Sequence, residues 1–457
     1  MTLVRNPWEE PRRFSANTLK DAFKNVRWSM QGRVRQVVGT IIEASLPGVQ
    51  LGTIAELELR DRDTKALAEV VGFTKDGFSQ LLPYDNLSGI FPGSLIFPLQ
   101  SVSRIPVGNF LIGRAVDAFL NPLAGPPIDF SQATSFRALD SLAPNPLERQ
   151  RISKKLSLGV RAIDSMLTFG EGQRVGIVAG SGVGKSVLMG MIARNSDADI
   201  NVIGLIGERG REVAEFIEKD LSPEGLKRSV IVAVTSDQSP LMRVRGAKVA
   251  TAIAEHFSSE GKSVMLMLDS LTRVAMSQRE IGNAIGEPPT TKGYTPSVFS
   301  LLPKLLERAG GQRPGHGPIS ALYTVLIDGD DFNDPIADAA RSILDGHINL
   351  TRELATRNHF PAIDITTSCS RVMNDIVDRD HWAMANQLRS YLGTYQQNID
   401  LIQIGAYQAG SNPRLDEAIS LMPLIERFLC QDMNLRCTAN DALKLLDHVL
   451  KGRPVKT

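Results

Sequence analysis

A glycine-rich loop that ends in Lys-Ser carries the clearest chemistry in this sequence of 457 residues. It spans residues 179–186, after an apolar run and before a stretch with helical character. In such a loop, backbone N–H groups wrap a polyphosphate, and the helix N-terminus adds partial positive charge. Lys185 is placed to reach the β- and γ-phosphates, and the Ser186 hydroxyl to ligate Mg²⁺. The backbone that would cradle the phosphates belongs to Gly180, Ser181, Gly182, Val183 and Gly184.

Two acidic residues that end apolar runs can complete the chemistry of such a site. Asp269 follows the run 264–268, which is the Walker B arrangement and puts its carboxylate beside the Mg²⁺. Glu208 follows the run 202–206, at the strand edge where open α/β sheets bind ligands. Glu208 can polarise the attacking water, and Arg209 can contact the γ-phosphate or hold Glu208 in place. The spacing of this second group also fits a surface cluster of ion pairs.

Four segments of different character must position these residues. Residues 31–100 consist of short β-rich runs punctuated by Gly and Pro, which predicts a small antiparallel β-barrel. A Pro-rich connector follows at 101–150. Residues 151–378 alternate apolar strands with helices, which is typical of an α/β P-loop core with a mostly parallel sheet. Residues 379–457 form a helical C-terminal domain.

The individual predicted strands of the first domain are short. They lie at residues 37–42, 54–59, 68–73 and 78–82. In the core, the predicted strands are at residues 175–178, 202–206, 230–234, 264–268 and 321–327. The C-terminal helices are predicted at residues 382–395, 415–429 and 440–450.

Residues 1–30 stand apart from the rest of the chain. Ser15 can cap a helix that extends through Met30, with Leu19, Phe23 and Val26 on one face. Two interpretations remain open: a helix packed on its own domain, or a detachable segment that docks on a partner or a membrane surface.

Composition narrows the function classes. The formal net charge is +1, which gives no electrostatic argument for nucleic acid as the main partner. Three cysteines without metal-type spacing favour a reduced, cytosolic setting. No apolar run approaches the ~18 residues that span a bilayer. The N-terminus is interrupted by charges and prolines, so we do not expect a signal peptide.

Together these motifs resemble the hexameric motors related to rotary ATPases. The resemblance rests on residues 179–186, 206–213, 269–273 and 368–371. Two longer runs, 286–298 and 334–347, are similar to the type III export ATPases of bacterial flagella and virulence injectisomes. The likeness covers about residues 33–450. Ala179 replaces the Gly of the strict phosphate-loop pattern, as it does in many relatives, and Leu120 departs from the family by standing where it usually has Gly.

The resemblance implies a RecA-like core and assigns roles that spacing alone does not. Glu208 matches the catalytic glutamate. Arg371 follows a predicted edge strand, and by itself fits a structural salt bridge better than catalysis; in the family it matches the arginine finger offered to a neighbouring subunit. Phe360 falls where the family places an aromatic ring beside the adenine. Because Glu208 and Arg371 belong to one chain, a homohexamer suffices for ATP hydrolysis with Mg²⁺.

The implied function is ATP hydrolysis that energises type III protein export by releasing chaperones and delivering substrates to a membrane export gate. The family also implies a stator-like regulator at residues 1–30, a central stalk protein and a position in the cytoplasm at the inner membrane. Residues 286–297 are expected to face the central channel, where Tyr294 would contact a partner. A Rho-like nucleic-acid motor and a subunit of a proton-driven ATP synthase are the alternatives, and flagellum and injectisome are not distinguished.

Overall fold

The computed structural model describes residues 31–60, 65–85, 88–99, 104–327, 331 and 334–453. The predicted docking segment 1–30 lies outside these residues. The chain separates into two compact units, residues 1–100 and 101–457. Within the described residues, none of the helices combines the length and the apolar character needed to cross a membrane.

The first unit is a closed antiparallel barrel in the strand order β1-β2-β5-β4-β3-β6, as the sequence predicted. Its strands alternate buried and exposed residues, so that Ile42, Leu57 and Leu81 point inward and are fully buried. The bounds of the six strands are β1 Gly32–Val38, β2 Ile41–Ser45, β3 Ile54–Glu58, β4 Lys65–Phe73, β5 Ser79–Pro83 and β6 Leu95–Pro98.

One strand prediction in the barrel is wrong. Residues 37–42 do not form a single strand, because β1 ends at Val38 and β2 begins at Ile41. The chain reverses between them at Gly39, whose φ of 59° lies in the left-handed region that glycine tolerates. The β-branched residues on both sides of this turn conceal the hairpin in the sequence pattern.

The second unit is built on an eight-stranded sheet in the order β16-β15-β10-β14-β13-β11-β12-β8. The neighbouring strands are parallel, except that β16 runs antiparallel to β15. Its central strands are buried on both faces, which explains their continuous apolar runs. The strand bounds are β7 Arg104–Val107, β8 Ala115–Val116, β9 Ser135–Ala138, β10 Arg174–Ala179, β11 Ile200–Glu208, β12 Ser229–Thr235, β13 Val264–Asp269, β14 Ile319–Leu326, β15 Gly346–Leu350 and β16 Ile363–Ser370.

Part of the segment predicted as a connector, 101–150, takes a place in the second unit. β8 pairs with β12 at the end of the large sheet, and β7 pairs with β9 in a separate two-stranded sheet. The turn around Leu120 lies between β8 and β9 in the sequence; the φ of Leu120 is 65° and its side chain is fully buried. The Asp117 carboxylate accepts the N–H groups of Phe119 and Asn121 and holds this turn in place.

Helices cover the sheet and continue into a C-terminal bundle that shares its apolar core. Capping side chains mark several starts, such as Ser270 before α6 and Asp378 before α11. The helix bounds are α1 Arg161–Met166, α2 Lys185–Asn195, α3 Gly210–Glu215, α4 Ser222–Leu226, α5 Pro240–Ser259, α6 Leu271–Ala284, α7 Pro296–Leu306, α8 Pro335–Ile343, α9 Arg352–Thr356, α10 Met373–Ile376, α11 Arg379–Gln397, α12 Ile399–Gln403, α13 Pro413–Leu429 and α14 Ala439–Leu450.

Candidate nucleotide-binding site

The glycine-rich loop lies between the end of β10 and the start of α2. Gly182 and Gly184 have φ values of 78° and 90°, which only glycine adopts without strain. Val183 is buried and anchors the loop, whereas Ser181 and Ser186 are exposed. Ala179 is the last residue of β10 and therefore has extended backbone. The strict pattern's glycine is thus not needed for conformational freedom at this position.

Lys185 brings the two predicted carboxylates together. Its Nζ lies 3.2 Å from Glu208 Oε1 and donates a hydrogen bond to Asp269 Oδ1. Thr324 Oγ1 donates a second bond of 2.6 Å to the same Asp269 oxygen. All three charged side chains are at most 13% exposed, so their charges interact through little water. β11 and β13 end side by side in the sheet, which places Glu208 next to Asp269.

The pKa values in this cluster respond to burial and to the opposite charges. Burial disfavours the charged form of Lys185, but Asp269 and Glu208 outweigh it and raise the pKa of the ammonium group. Burial and the negative charge of Asp269 raise the pKa of Glu208 to about 7, although Lys185 opposes this. A carboxyl group with a pKa near neutrality can accept a proton at physiological pH.

Arg209 lies beside this cluster on the solvent side. Its side chain is 75% exposed and forms an ion pair of 3.6 Å with Glu212, one helical turn along α3. The contact of Arg209 in the structure is therefore with Glu212 rather than with Glu208. Its exposed guanidinium is available to a group that approaches from outside.

Phe360 lies on the other side of the loop. A side chain at Gly184 would bring its Cβ to 3.5 Å from the Phe360 ring, so the ring lies directly against the loop. The ring is 41% exposed, and the Phe360 carbonyl accepts a 2.9 Å hydrogen bond from the Gln431 N–H. The loop and the C-terminal region thus meet at an aromatic surface that is open to a flat ligand.

Arg371 is not brought together with the other predicted residues. Its N–H donates to the Asp345 carbonyl at 3.0 Å, and Asp345 in turn donates its N–H to the Arg174 carbonyl at 2.8 Å. Arg174 begins β10, whereas the glycine-rich loop follows the other end of that strand. Since a strand rises roughly 3.3 Å per residue, the two ends of β10 are roughly 17 Å apart. Arg371 therefore lies at the opposite edge of the sheet from Lys185.

Sequence reasoning assigned no role to two residues at the site. Thr324, in the middle of a buried strand, bonds to Asp269 as described above. Arg273 packs against Gly207, where an added Cβ would come within 2.9 Å of the arginine side chain. The buried Nε of Arg273 has no hydrogen-bond partner among the residues that the structure describes. A role for Arg273 at the site could have been predicted from its position on the first turn of α6, four residues after Asp269.

One prediction for the turn-rich segment needs correction. Tyr294 is only 3% exposed: it packs against Phe299, and the Arg279 guanidinium lies over its ring at 5.1 Å from the centroid. Its side chain is therefore not available for contact with a partner. Thr291 and Lys292, three and two residues earlier, are exposed in this turn.

The donor set fits the magnesium complex of a nucleotide. Mg²⁺ prefers oxygen ligands and is usually held by one or two protein groups together with phosphate oxygens. The exposed Ser186 hydroxyl, on the first turn of α2, and the Asp269 carboxylate, which Lys185 links to this turn, offer such oxygens. The glycine loop and Lys185 supply the donors and the charge that polyphosphate requires.

Known proteins share both halves of this second unit. Residues 159–370 match the nucleotide-binding domain of the ATP synthase alpha/beta family, and residues 377–448 match the C-terminal domain of the type III secretion ATPase EscN. The flagellum-specific ATP synthase of Bacillus subtilis is 53% identical over 88% of this chain and 90% of its own length.

Solved structures agree with these matches. The assembled ATPase EscN from the type III secretion system of enteropathogenic E. coli is 44% identical and superposes with a TM-score of 0.85 over 92% of this chain and 100% of that one. The structure of assembled EscN in complex with its central stalk EscO gives a TM-score of 0.83, with the same identity and coverage.

Proposed function

The chain belongs to the family of flagellum-specific and type III secretion ATPases, and we propose that it hydrolyses ATP at sites completed by a second copy of itself. The observation that supports this proposal most strongly is the separation of Arg371 from Lys185 by the length of β10. A chain that carries both residues, but at opposite edges of its sheet, can use them together only across an interface between copies.

The residues around the loop bind and orient the nucleotide. Backbone N–H groups of residues 180–184 and the Lys185 ammonium hold the phosphates, and Phe360 covers the adenine. Ser186 and Asp269 would hold Mg²⁺, which would neutralise negative charge on the phosphates. The γ-phosphate replaces part of the contact that Lys185 makes with Glu208. Glu208 is then free to accept a hydrogen bond from the attacking water and to take its proton.

Arg371 of a neighbouring copy supplies the remaining positive charge at the γ-phosphate. Arginine fingers of this kind contribute roughly 10³–10⁵ in rate, so an isolated subunit is nearly inactive. The exposed Arg209, beside Glu208 in the sequence, adds a second guanidinium that can contact the γ-phosphate. A ring of identical subunits provides one complete site at each interface. EscN, which is similar over nearly the whole chain, has been solved as an assembly, and this supports a homohexamer here.

Hydrolysis energises type III protein export. In this proposal the ring releases export substrates from their chaperones and passes them to the membrane export gate while it is held at the inner membrane. A central stalk protein contacts the exposed turn at Thr291 and Lys292, in place of the buried Tyr294. Residues 1–30 bind a stator-like regulator.

Mixed assemblies test the proposal directly. Arg371→Ala leaves the nucleotide site of its own subunit intact, and Lys185→Ala leaves its arginine intact. We expect each variant alone to be inactive, and co-expressed subunits purified through two different tags to regain ATPase activity, because about a quarter of the interfaces pair an intact site with an intact arginine. Full activity of Arg371→Ala at high dilution, or a mixture that stays inactive, would contradict the shared site.

A further inference from the structure

Gln173 is a fully buried amide immediately before β10. Its side chain joins three segments that lie far apart in the sequence. We propose that Gln173 is a positioning residue for Arg371, holding the arginine where a neighbouring subunit can use it. This inference rests on the proposed function, because it concerns the residue that one copy presents to the next.

Both ends of the Gln173 amide have defined partners. Its Nε2 donates to the Asp345 carbonyl at 3.1 Å and to Ser370 Oγ at 3.0 Å. Its Oε1 accepts the Gly170 N–H at 2.9 Å. The side chain therefore uses both donors and an acceptor, and a buried amide of this kind specifies one arrangement of its neighbours.

The two acceptors of Nε2 are the groups that determine the Arg371 backbone. Ser370 is the preceding residue, and the Asp345 carbonyl accepts the Arg371 N–H at 3.0 Å. The Asp345 carboxylate is in turn held by the Arg174 guanidinium through bonds of 3.1 and 3.2 Å. One amide thus fixes the peptide that carries the arginine from both sides.

The Arg371 side chain itself is exposed and has little packing of its own. Its guanidinium donates to the Arg341 carbonyl at 3.1 Å, near the surface. Its position therefore depends on its backbone anchor rather than on a pocket around the guanidinium. Because a misplacement of about 1 Å at a reacting centre can cost on the order of 100-fold in rate, the anchor matters for catalysis.

Gln173→Met removes both polar ends of the side chain and keeps an unbranched chain of similar length. We expect kcat of the variant ring to fall by roughly 10- to 100-fold, while KM for ATP stays within about twofold, because the variant's own glycine loop is unchanged. Gln173→Glu keeps an acceptor for Gly170 and, when protonated, one donor, so its activity should lie between those of Gln173→Met and the natural chain.

Mixed rings separate positioning of Arg371 from an effect on the variant's own site. Gln173→Met mixed with Lys185→Ala should regain activity, since an intact nucleotide site then meets an intact arginine. Gln173→Met mixed with Arg371→Ala should not exceed the residual activity of Gln173→Met alone, since neither subunit presents a correctly placed arginine. The mixture of Arg371→Ala with Lys185→Ala defines the recovery that is attainable.

Gln312→Met is the matched control. Gln312 is also buried and donates to the carbonyls of Arg308 and Gly310, with no bond to the Arg371 segment. We expect Gln312→Met to be less stable than the natural chain. Its ATPase activity should not depend on whether it is mixed with Lys185→Ala or with Arg371→Ala.

The other outcomes overturn the inference in distinguishable ways. Recovery of Gln173→Met with Arg371→Ala but not with Lys185→Ala would assign Gln173 to its own nucleotide site. Recovery with neither partner would mean that the variant only fails to fold, and recovery with both would mean that Gln173 has no role in positioning. If the reference mixture of Arg371→Ala with Lys185→Ala is itself inactive, the shared site fails first, and the role of Gln173 fails with it.

Discussion

Phe360→Ala tests whether the aromatic ring beside the loop binds the adenine. A fully buried aromatic side chain removes about 150–250 Å² from water. With 41% of Phe360 exposed, on the order of 80 Å² remains for a base to cover. At about 25 cal/mol per Å², that area contributes about 2 kcal/mol, close to the 1–3 kcal/mol of base–aromatic stacking. A tenfold change in affinity corresponds to about 1.4 kcal/mol, so we expect KM for ATP to rise by roughly 10- to 30-fold.

The assay compares ATP with inorganic tripolyphosphate, which has the phosphates but no base. Phosphate release should show the rise in KM for ATP, with kcat nearly unchanged, and no change for tripolyphosphate. Phe360→Tyr is the matched control, because it keeps the ring and should behave as the natural chain. An equal loss with both substrates would mean that Phe360 supports the loop at Gly184 instead of binding the base. An unchanged KM for ATP would refute the stacking argument altogether.

Three further substitutions follow from the structure. Glu208→Gln should lower kcat by roughly 10²–10⁴ and leave binding of a fluorescent ATP analogue intact; equal losses of binding and turnover would contradict its role as the base. Leu120→Gly should destabilise the protein by about 1 kcal/mol less than Leu111→Gly, because the left-handed φ of 65° at Leu120 suits glycine. Both leucine side chains are fully buried, so the two variants lose similar packing. Equal losses of stability in urea unfolding would show that the φ of Leu120 carries no strain. Burial raises the pKa of Asp164 to about 6, above its ordinary 3.8. The stability that Asp164 contributes is therefore complete below pH ~4 and is lost as pH rises through about 6. The loss in the free energy of unfolding is at most roughly 3 kcal/mol. Asp164→Asn should remove that slope from urea unfolding between pH 4 and 7, and an unaltered slope would assign it to other groups.

The phosphate loop could be predicted from the sequence because its determinants are local. Gly182 and Gly184 provide the left-handed conformations, the apolar strand β10 precedes them, and α2 begins at Lys185. The barrel and the core strands were predictable for the same reason, since burial on one face or on both faces leaves a pattern of apolar residues. The hairpin at Gly39 was not predicted, because β-branched residues on both sides of the turn make the segment look like one continuous strand.

Features that depend on tertiary packing could not be predicted in this way. Tyr294 stands among Gly, Pro and Thr residues that suggest an exposed turn, yet packing against Phe299 and Arg279 buries it. Gln173 belongs to no motif in the sequence, and its importance becomes visible only where it meets Asp345 and Ser370. Hydrogen bonds between residues so far apart in the chain leave no periodic signal.

The direction of a single strand decides whether Arg371 can act within its own subunit. Among the described strands of the large sheet, β16 alone is antiparallel to its neighbour. It therefore carries the chain back from the edge where nucleotide-binding loops lie, and Arg371 emerges at the amino ends of the parallel strands. Had β16 been parallel to β15, Arg371 would have emerged beside Lys185, and one subunit could have held a complete site. The antiparallel strand instead separates the arginine from the phosphate loop by the length of β10, so the catalytic role that we propose for Arg371 needs the heterologous contacts of a ring.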